Sequence, residues 1–310
     1  MDALVISGGG SKGAFAGGVS EYLIKVTRKD YKLFVGTSTG SLLVPFLAIG
    51  DTERIKKIYT TIKQEDIFTV CPFIIKKKDG ITKTSINHFG ILKQFIKRQK
   101  TLGDSRALRN LIFKSFTPAD FAQIKKLGKE VVVTVANLTT NMVEYKSSND
   151  YGYDDFCDWI WASANMVPLM SLLQKDGNDY ADGGFGNLIP IQQAIVKGAT
   201  NIDVIVLRLK NGVYSNPPLR NGLDAFARTY DFMLNQIAID DLLIANLQAA
   251  SKNVAISFYY INRLLTTRSF VFDAEEMTQW WQEGYEMFRE KECEKHYLLP
   301  ANETKNIKIV

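Results

Sequence analysis

The chain has 310 residues, 46% apolar and 23% charged, ordinary proportions for a globular protein with a sizeable core. A formal net charge of +5 is compatible with a weak preference for anionic surfaces such as lipid head groups. It is too small to argue for a nucleic-acid partner, and none is expected.

In chain order, a first strand is predicted at Ala3–Ser7, followed by a glycine loop. A helix then carries Phe15, Val19, Tyr22 and Leu23 at helical spacing. A second strand at Leu33–Val35 runs into Gly36-Thr37-Ser38-Thr39-Gly40, and a helix begins at Ser41. Strand, helix, strand at this spacing opens a βαβ unit, hence a parallel sheet with a right-handed crossover. Residues 51–127 are expected to be a mostly helical insertion with few strand signals and polar loops at Lys76–Gly80 and Gln99–Asp104. Strands return at Val131–Asn137 and Met142–Lys146, then a helix near 154–164 and a brief strand ending at Asp182. A helix at Ile191–Lys197 and a core strand at Ile202–Leu209 follow. The helical C-terminal part, about 222–310, holds a long amphipathic helix, a strand at Ala255–Tyr260 and a last helix from Ala274. There is no repeat and no Pro/Ser-rich linker, so one domain over 1–310 is the simplest organisation, with the core motifs within 1–210.

Cys71, Cys157 and Cys293 lie far apart with no metal-ligand spacing, which argues against a disulfide scaffold and fits a reducing cytoplasm. No basic n-region marks a signal peptide. The longest apolar run, Leu42–Ile49, contains Pro45 and is well short of the ~20 residues of a membrane span. A cytoplasmic protein able to visit a membrane surface is expected.

Two glycine clusters sit where strands hand over to helices. Gly8-Gly9-Gly10-Ser11-Lys12-Gly13 matches the dinucleotide pattern G-x-G-x-x-G. The acidic residue that pattern needs at the end of the second strand is missing, because that strand ends in Gly36-Thr37-Ser38. A P-loop fails too, with Ala14 after Gly13 where a lysine should stand. The second cluster, G-x-S-x-G on a strand–turn–helix junction, is a nucleophile elbow that holds Ser38 above the strand end. Gly36 and Gly40 are needed because the strand and helix backbones approach too closely for a Cβ. The helix start beneath Ser38, including Thr39, favours developing negative charge. The Gly8–Gly10 loop leaves the neighbouring strand at the same sheet edge and can supply further amide donors. Lys12 adds positive charge there or is an exposed lysine at a helix start.

A serine needs a base. His88 follows an Asn-containing loop and His296 lies in a charged segment, so both read as surface residues, although Ser38, Asp182, His296 follows α/β-hydrolase order. Asp182, in "YADGG", ends a short strand beside Gly183 and Gly184.

Together these residues resemble the patatin-like phospholipase family. Its glycine-rich oxyanion loop corresponds to Gly8–Gly13, its G-x-S-x-G elbow to Gly36–Gly40 and its D-G-G motif to Asp182-Gly183-Gly184. Its Ala-Ser segment ending in proline corresponds to Ala162–Pro168, and Asn187 and Pro190 fit loosely the Asn and Pro that follow D-G-G. The resemblance covers about the first 200 residues. It implies a three-layer α/β/α sandwich with a mostly parallel sheet, and a Ser38–Asp182 dyad cleaving acyl esters of lipids. It further implies an oxyanion hole of Gly8, Gly9, Gly10 and Thr39, with no cofactor and no metal. A catalytically silent module that holds lipid or nucleotide on the same fold is the alternative. The segments "CPFIIKKKDG" and "ILKQFIKRQK" interleave apolar residues with lysines, the composition of a lipid-contacting surface or of an amphipathic helix with a solvated basic face. Trp159, Trp161, Trp280 and Trp281 are expected in the core.

Overall fold

The computed structural model describes residues 1–78, 81–210, 218–219, 221–290 and 295–296. Strand β1 (Asp2–Ile6) leads through the glycine loop into α1 (Gly13–Lys25), and β2 (Leu33–Thr37) into α2 (Thr39–Ala48). Next come α3 (Thr52–Thr61), α4 (Gln64–Ile67), β3 (Phe73–Lys78), β4 (Ile81–Ile86), α5 (His88–Ile96), α6 (Arg106–Ser115) and α7 (Pro118–Lys126). The chain returns through β5 (Glu130–Asn137), β6 (Met142–Ser147), α8 (Tyr153–Ser163), β7 (Leu173–Lys175) and β8 (Asn178–Asp182). It closes with α9 (Ile191–Val196), β9 (Asn201–Leu209), α10 (Gly222–Lys252), β10 (Ala255–Ile261), α11 (Ala274–Glu290) and β11 (Lys295–His296).

Among the described residues, nine strands form one mixed sheet in the order β11-β10-β9-β1-β2-β5-β8-β7, with β6 also paired to β5. The centre, β10 to β5, is parallel, and the remaining pairings are antiparallel. A parallel sheet must be covered on both faces, and its strands then read as unbroken apolar runs. Leu4 and Ile6 of β1 join one buried cluster with α1, α2, α8 and α11. Ala3 and Val5 join a second with α9 and α10. Helix, sheet and helix therefore make three layers, as the resemblance implies. All four tryptophans are buried.

The insertion departs from expectation. It contains α3 to α7, but β3 and β4 pair as a separate antiparallel hairpin, with Phe73 opposite Ile86. The lysines at 76–78 masked the strand, since a two-stranded hairpin with one open face tolerates them.

Register decides where the site forms. β2 pairs with β5 up to Thr37 opposite Thr134, and β8 pairs from Asp182 opposite Val135. β6 occupies the other side of β5 along Val132–Asn137, so β2 and β8 share one side. The two strands thus run toward each other along β5 and meet end to end. Ser38 leaves the tip of one, and Asp182 is the tip of the other.

Candidate active site

Ser38 has φ 56° and ψ −120°, a left-handed conformation that non-glycine residues rarely adopt. The surroundings hold it there. Its N–H donates to Ser163 Oγ at 3.1 Å, and Ser163 Oγ shares a 2.7 Å hydrogen bond with Ser41 Oγ. Ser41 in turn donates to the Gly36 carbonyl at 2.9 Å. A Cβ on Gly36 would come within 2.5 Å of the Gly40 backbone, and one on Gly40 within 2.2 Å of the Ile6 carbonyl oxygen. The sharp elbow therefore exists only with glycine at both positions.

Asp182 is buried, with its N–H bonded to the Asn165 carbonyl at 2.9 Å and its Oδ1 accepting the Gly184 N–H at 2.8 Å. Burial pushes the carboxyl up to about 7, against the pull of the Ser38 side chain and the Gly184 amide. The segment 162–168 thus touches both ends of the pair, Ser163 the elbow and Asn165 the aspartate. Gly183 lies flat on β5, its missing Cβ 2.3 Å from the Thr134 carbonyl oxygen.

Gly8, Gly9, Gly10, Lys12, Ser38, Thr39 and Asp182 line one cleft. The Gly9, Gly10 and Thr39 amides have no hydrogen-bond partner among the described residues. Gly8, expected as a donor, has its N–H committed to the Leu188 carbonyl at 3.0 Å. It forms the wall instead, an added Cβ lying 3.3 Å from Ser38 Cβ. Gly10 adopts φ 59° under the Ser269 carbonyl, and Gly13 abuts Thr39 Oγ1. Lys12 is buried, not exposed, and burial followed by the nearby Arg208 lowers it to about 8, with Asp231 opposing.

The histidines stand apart. His88 is exposed at the start of α5 and does not line the cleft. His296 pairs with Ile256 on the edge strand β11, at the end of β10 opposite to the end where the site lies. Cys71 and Cys157 are free thiols, Cys293 lies outside the described residues, and among those residues no three His, Cys, Asp or Glu gather as a metal site.

Asp241, a buried carboxylate in the middle of α10, has no role in the reading of the sequence. It accepts the Leu188 and Ile189 N–H groups at 2.7 and 2.8 Å, fixing the loop that also receives the Gly8 N–H. Its one signal is an acid within the apolar stretch "QIAIDDLLIA".

A family model described as patatin-like phospholipase matches residues 4–195. The chain belongs to the patatin-like phospholipase family. Family members act typically as serine lipid acyl hydrolases, so the family implies lipid substrates. Among solved structures, VipD from Legionella pneumophila is similar at 15% identity and a TM-score of 0.46. That match covers 92% of this chain and 65% of VipD's, so the chain spans less than two-thirds of that structure. No curated protein matches the chain. Several cleft residues, including Arg208, Asp231, Leu234 and Phe270, lie beyond the part that the family model matches.

Proposed function

We propose that the protein is a serine acyl hydrolase, folded as one hydrolase domain, that cleaves carboxylic ester bonds of lipids through Ser38 and Asp182. The observation that carries this reading is the meeting of a strained, cleft-facing serine with a buried carboxylate held near neutrality. A base is most effective when it titrates close to the working pH.

Ser38 Oγ attacks the ester carbonyl carbon while its proton passes to the Asp182 carboxylate. Negative charge on the carbonyl oxygen is met by the free amides of Gly9, Gly10 and Thr39 and by the N-terminus of α2. Collapse of the tetrahedral intermediate expels the alcohol, which takes the proton from Asp182 and leaves an acyl-enzyme. Water then gives a proton to Asp182 and attacks the acyl carbon, and as this second intermediate collapses Asp182 returns the proton to Ser38 Oγ, releasing the carboxylic acid and free Ser38.

A second cleft supplies the acyl-chain environment. It is lined by Pro45, Phe46, Ile55, Ile112 and Ile160 and shares Leu42, Ile67, Leu108 and Phe272 with the Ser38 cleft. An acyl chain lying there keeps its ester at Ser38.

Contact with a lipid surface falls to α5. Its Phe89, Leu92, Phe95 and Ile96 are 80%, 55%, 63% and 74% exposed, beside the exposed Lys93, Lys97 and Arg98. No helix among the described residues is long and apolar enough to cross a membrane.

The test is a fluorophosphonate probe with the adduct mapped by mass spectrometry. Wild type should be labelled at Ser38, with the label lost in Ser38→Ala and Asp182→Asn and retained in His296→Ala. A folded wild type that takes no label would replace this reading with a silent lipid-binding module.

A further inference from the structure

The loop at 187–189, just after the D-G-G turn, touches every part of the site. The Asn187 carbonyl accepts the Thr37 hydroxyl at 3.1 Å, one residue before Ser38. The Leu188 carbonyl accepts the Gly8 N–H at 3.0 Å, at the head of the glycine loop. The Leu188 side chain lines the cleft and fills the space that a Cβ on Gly8 or Gly184 would need, at 2.5 and 2.9 Å. Gly184 is the residue whose N–H holds Asp182 Oδ1. The loop itself is held from α10. One oxygen of Asp241, Oδ2, accepts the consecutive Leu188 and Ile189 N–H groups at 2.7 and 2.8 Å. Adjacent amides converging on one oxygen make an anion-binding nest, and charge-assisted bonds of this kind are about twice as strong as neutral ones. Asp241 is 4% exposed, and among the described residues its carboxylate has no ion pair and bonds only to this loop. Burial pushes the carboxyl up to about 7 against the pull of the two amides, with Asp240 adding to the push. A buried acid without a cation is costly to keep, and this one is spent on the loop beside Ser38.

We propose that Asp241 is a positioning residue for the reaction, holding residues 187–189 so that the Gly9 and Gly10 amides and the Asp182 carboxylate keep their places about Ser38. This rests on the proposed hydrolase and adds a residue to it. Asp241 does not line the Ser38 cleft and acts through Leu188, which meets the glycine loop on one side and the D-G-G turn on the other. Without the carboxylate, two buried N–H groups lose their acceptor and the loop must shift to find another. Oxyanion donors act on the transition state more than on the bound ester, so a displaced loop shows in kcat and little in KM. Asp241 lies outside the residues that the family model matches.

The experiment measures steady-state hydrolysis of p-nitrophenyl butyrate by wild type, Ser38→Ala, Asp241→Asn and Asp241→Ala, each assayed well below its melting temperature. Asp241→Ala removes the acceptor. Its kcat should fall at least about thirtyfold with KM within about threefold of wild type, since loss of a single oxyanion donor costs about a hundredfold or more. Asp241→Asn keeps an acceptor oxygen for the two amides and should hold kcat within about fivefold of wild type. A brace that serves stability alone would lower the melting temperature of the Ala protein and leave the kcat of its folded fraction intact, and that result overturns the proposal. A rise in KM at unchanged kcat overturns it too, as does an Asn protein no more active than the Ala one. If the Ala protein does not fold, Asp241→Gln carries the acceptor displaced by one methylene and should show the same fall in kcat. A wild-type kcat there overturns the proposal. Loss of hydrolysis in Ser38→Ala reports separately on the hydrolase reading. A folded wild type without hydrolysis overturns both readings, whereas an active wild type with an equally active Asp241→Ala overturns the role of Asp241 alone.

Discussion

Asp182 answers to two opposing demands. In the proposed hydrolase it must be ionised to take the Ser38 proton, yet burial favours its neutral form and raises it to about 7. Below that pH the carboxyl is protonated and cannot act as base. The rising limb of kcat/KM should therefore reach half its plateau near pH 7. Steady-state pH profiles with a soluble neutral ester check this. The same aspartate burdens the fold. A carboxyl raised in the native state contributes stability below its unfolded value of about 3.9, and that contribution is lost as pH climbs to about 7. For a shift of this size the loss is on the order of 4 kcal/mol. Asp182→Asn keeps an acceptor for the Gly184 N–H without the charge. It should abolish activity while raising the melting temperature, more at pH 8 than at pH 5, by differential scanning calorimetry.

At the scale of elements, α5 carries its apolar residues outward, against the usual pattern of an amphipathic helix. Four exposed large side chains on one short helix form a patch, which signals an interaction surface. Phe89→Ser and Phe95→Ser should each lower partitioning onto phosphatidylglycerol-containing vesicles on the order of tenfold, since a buried Phe contributes roughly 1.5–3 kcal/mol. Sedimentation with vesicles measures it. Unchanged partitioning would remove α5 as the contact. Elements also mark what the sequence made legible. Ser38, Asp182 and the glycines could be read because each occupies a local motif whose chemistry is self-contained. The β3–β4 hairpin could not, because its lysines hide the alternation. Asp241 could not either, since its bonds to the Leu188 and Ile189 amides depend on α10 packing against a loop some 50 residues earlier, which no local pattern encodes. The commitment of the Gly8 amide was hidden for the same reason. That amide is claimed by Leu188, a residue 180 positions away.

Over the whole molecule, an early helix and a late one clasp each other beside the site. β1 lies between β2 and β9, and α11 packs on α1 so tightly that a Cβ on Gly284 would sit 2.3 Å from the Phe15 carbonyl oxygen. The Trp281 carbonyl is as close to Gly18, and Trp281 Nε1 donates to Glu21 at 2.7 Å. Gly284→Val should lift α11 and disturb the glycine loop at the start of α1. We expect a loss of at least about 3 kcal/mol in urea unfolding, in the range of severe core disruption, together with loss of fluorophosphonate labelling. Full labelling would show that α11 does not support the loop.

This backbone-to-backbone clasp also sets an order of events during synthesis. The glycine loop and the elbow are translated within the first 40 residues, yet β9 follows some 160 residues later and α11 about 70 after that. A nascent chain therefore carries the glycine loop and the elbow long before it has a cleft. The proposed hydrolase is expected to become competent only once α11 can pack on α1.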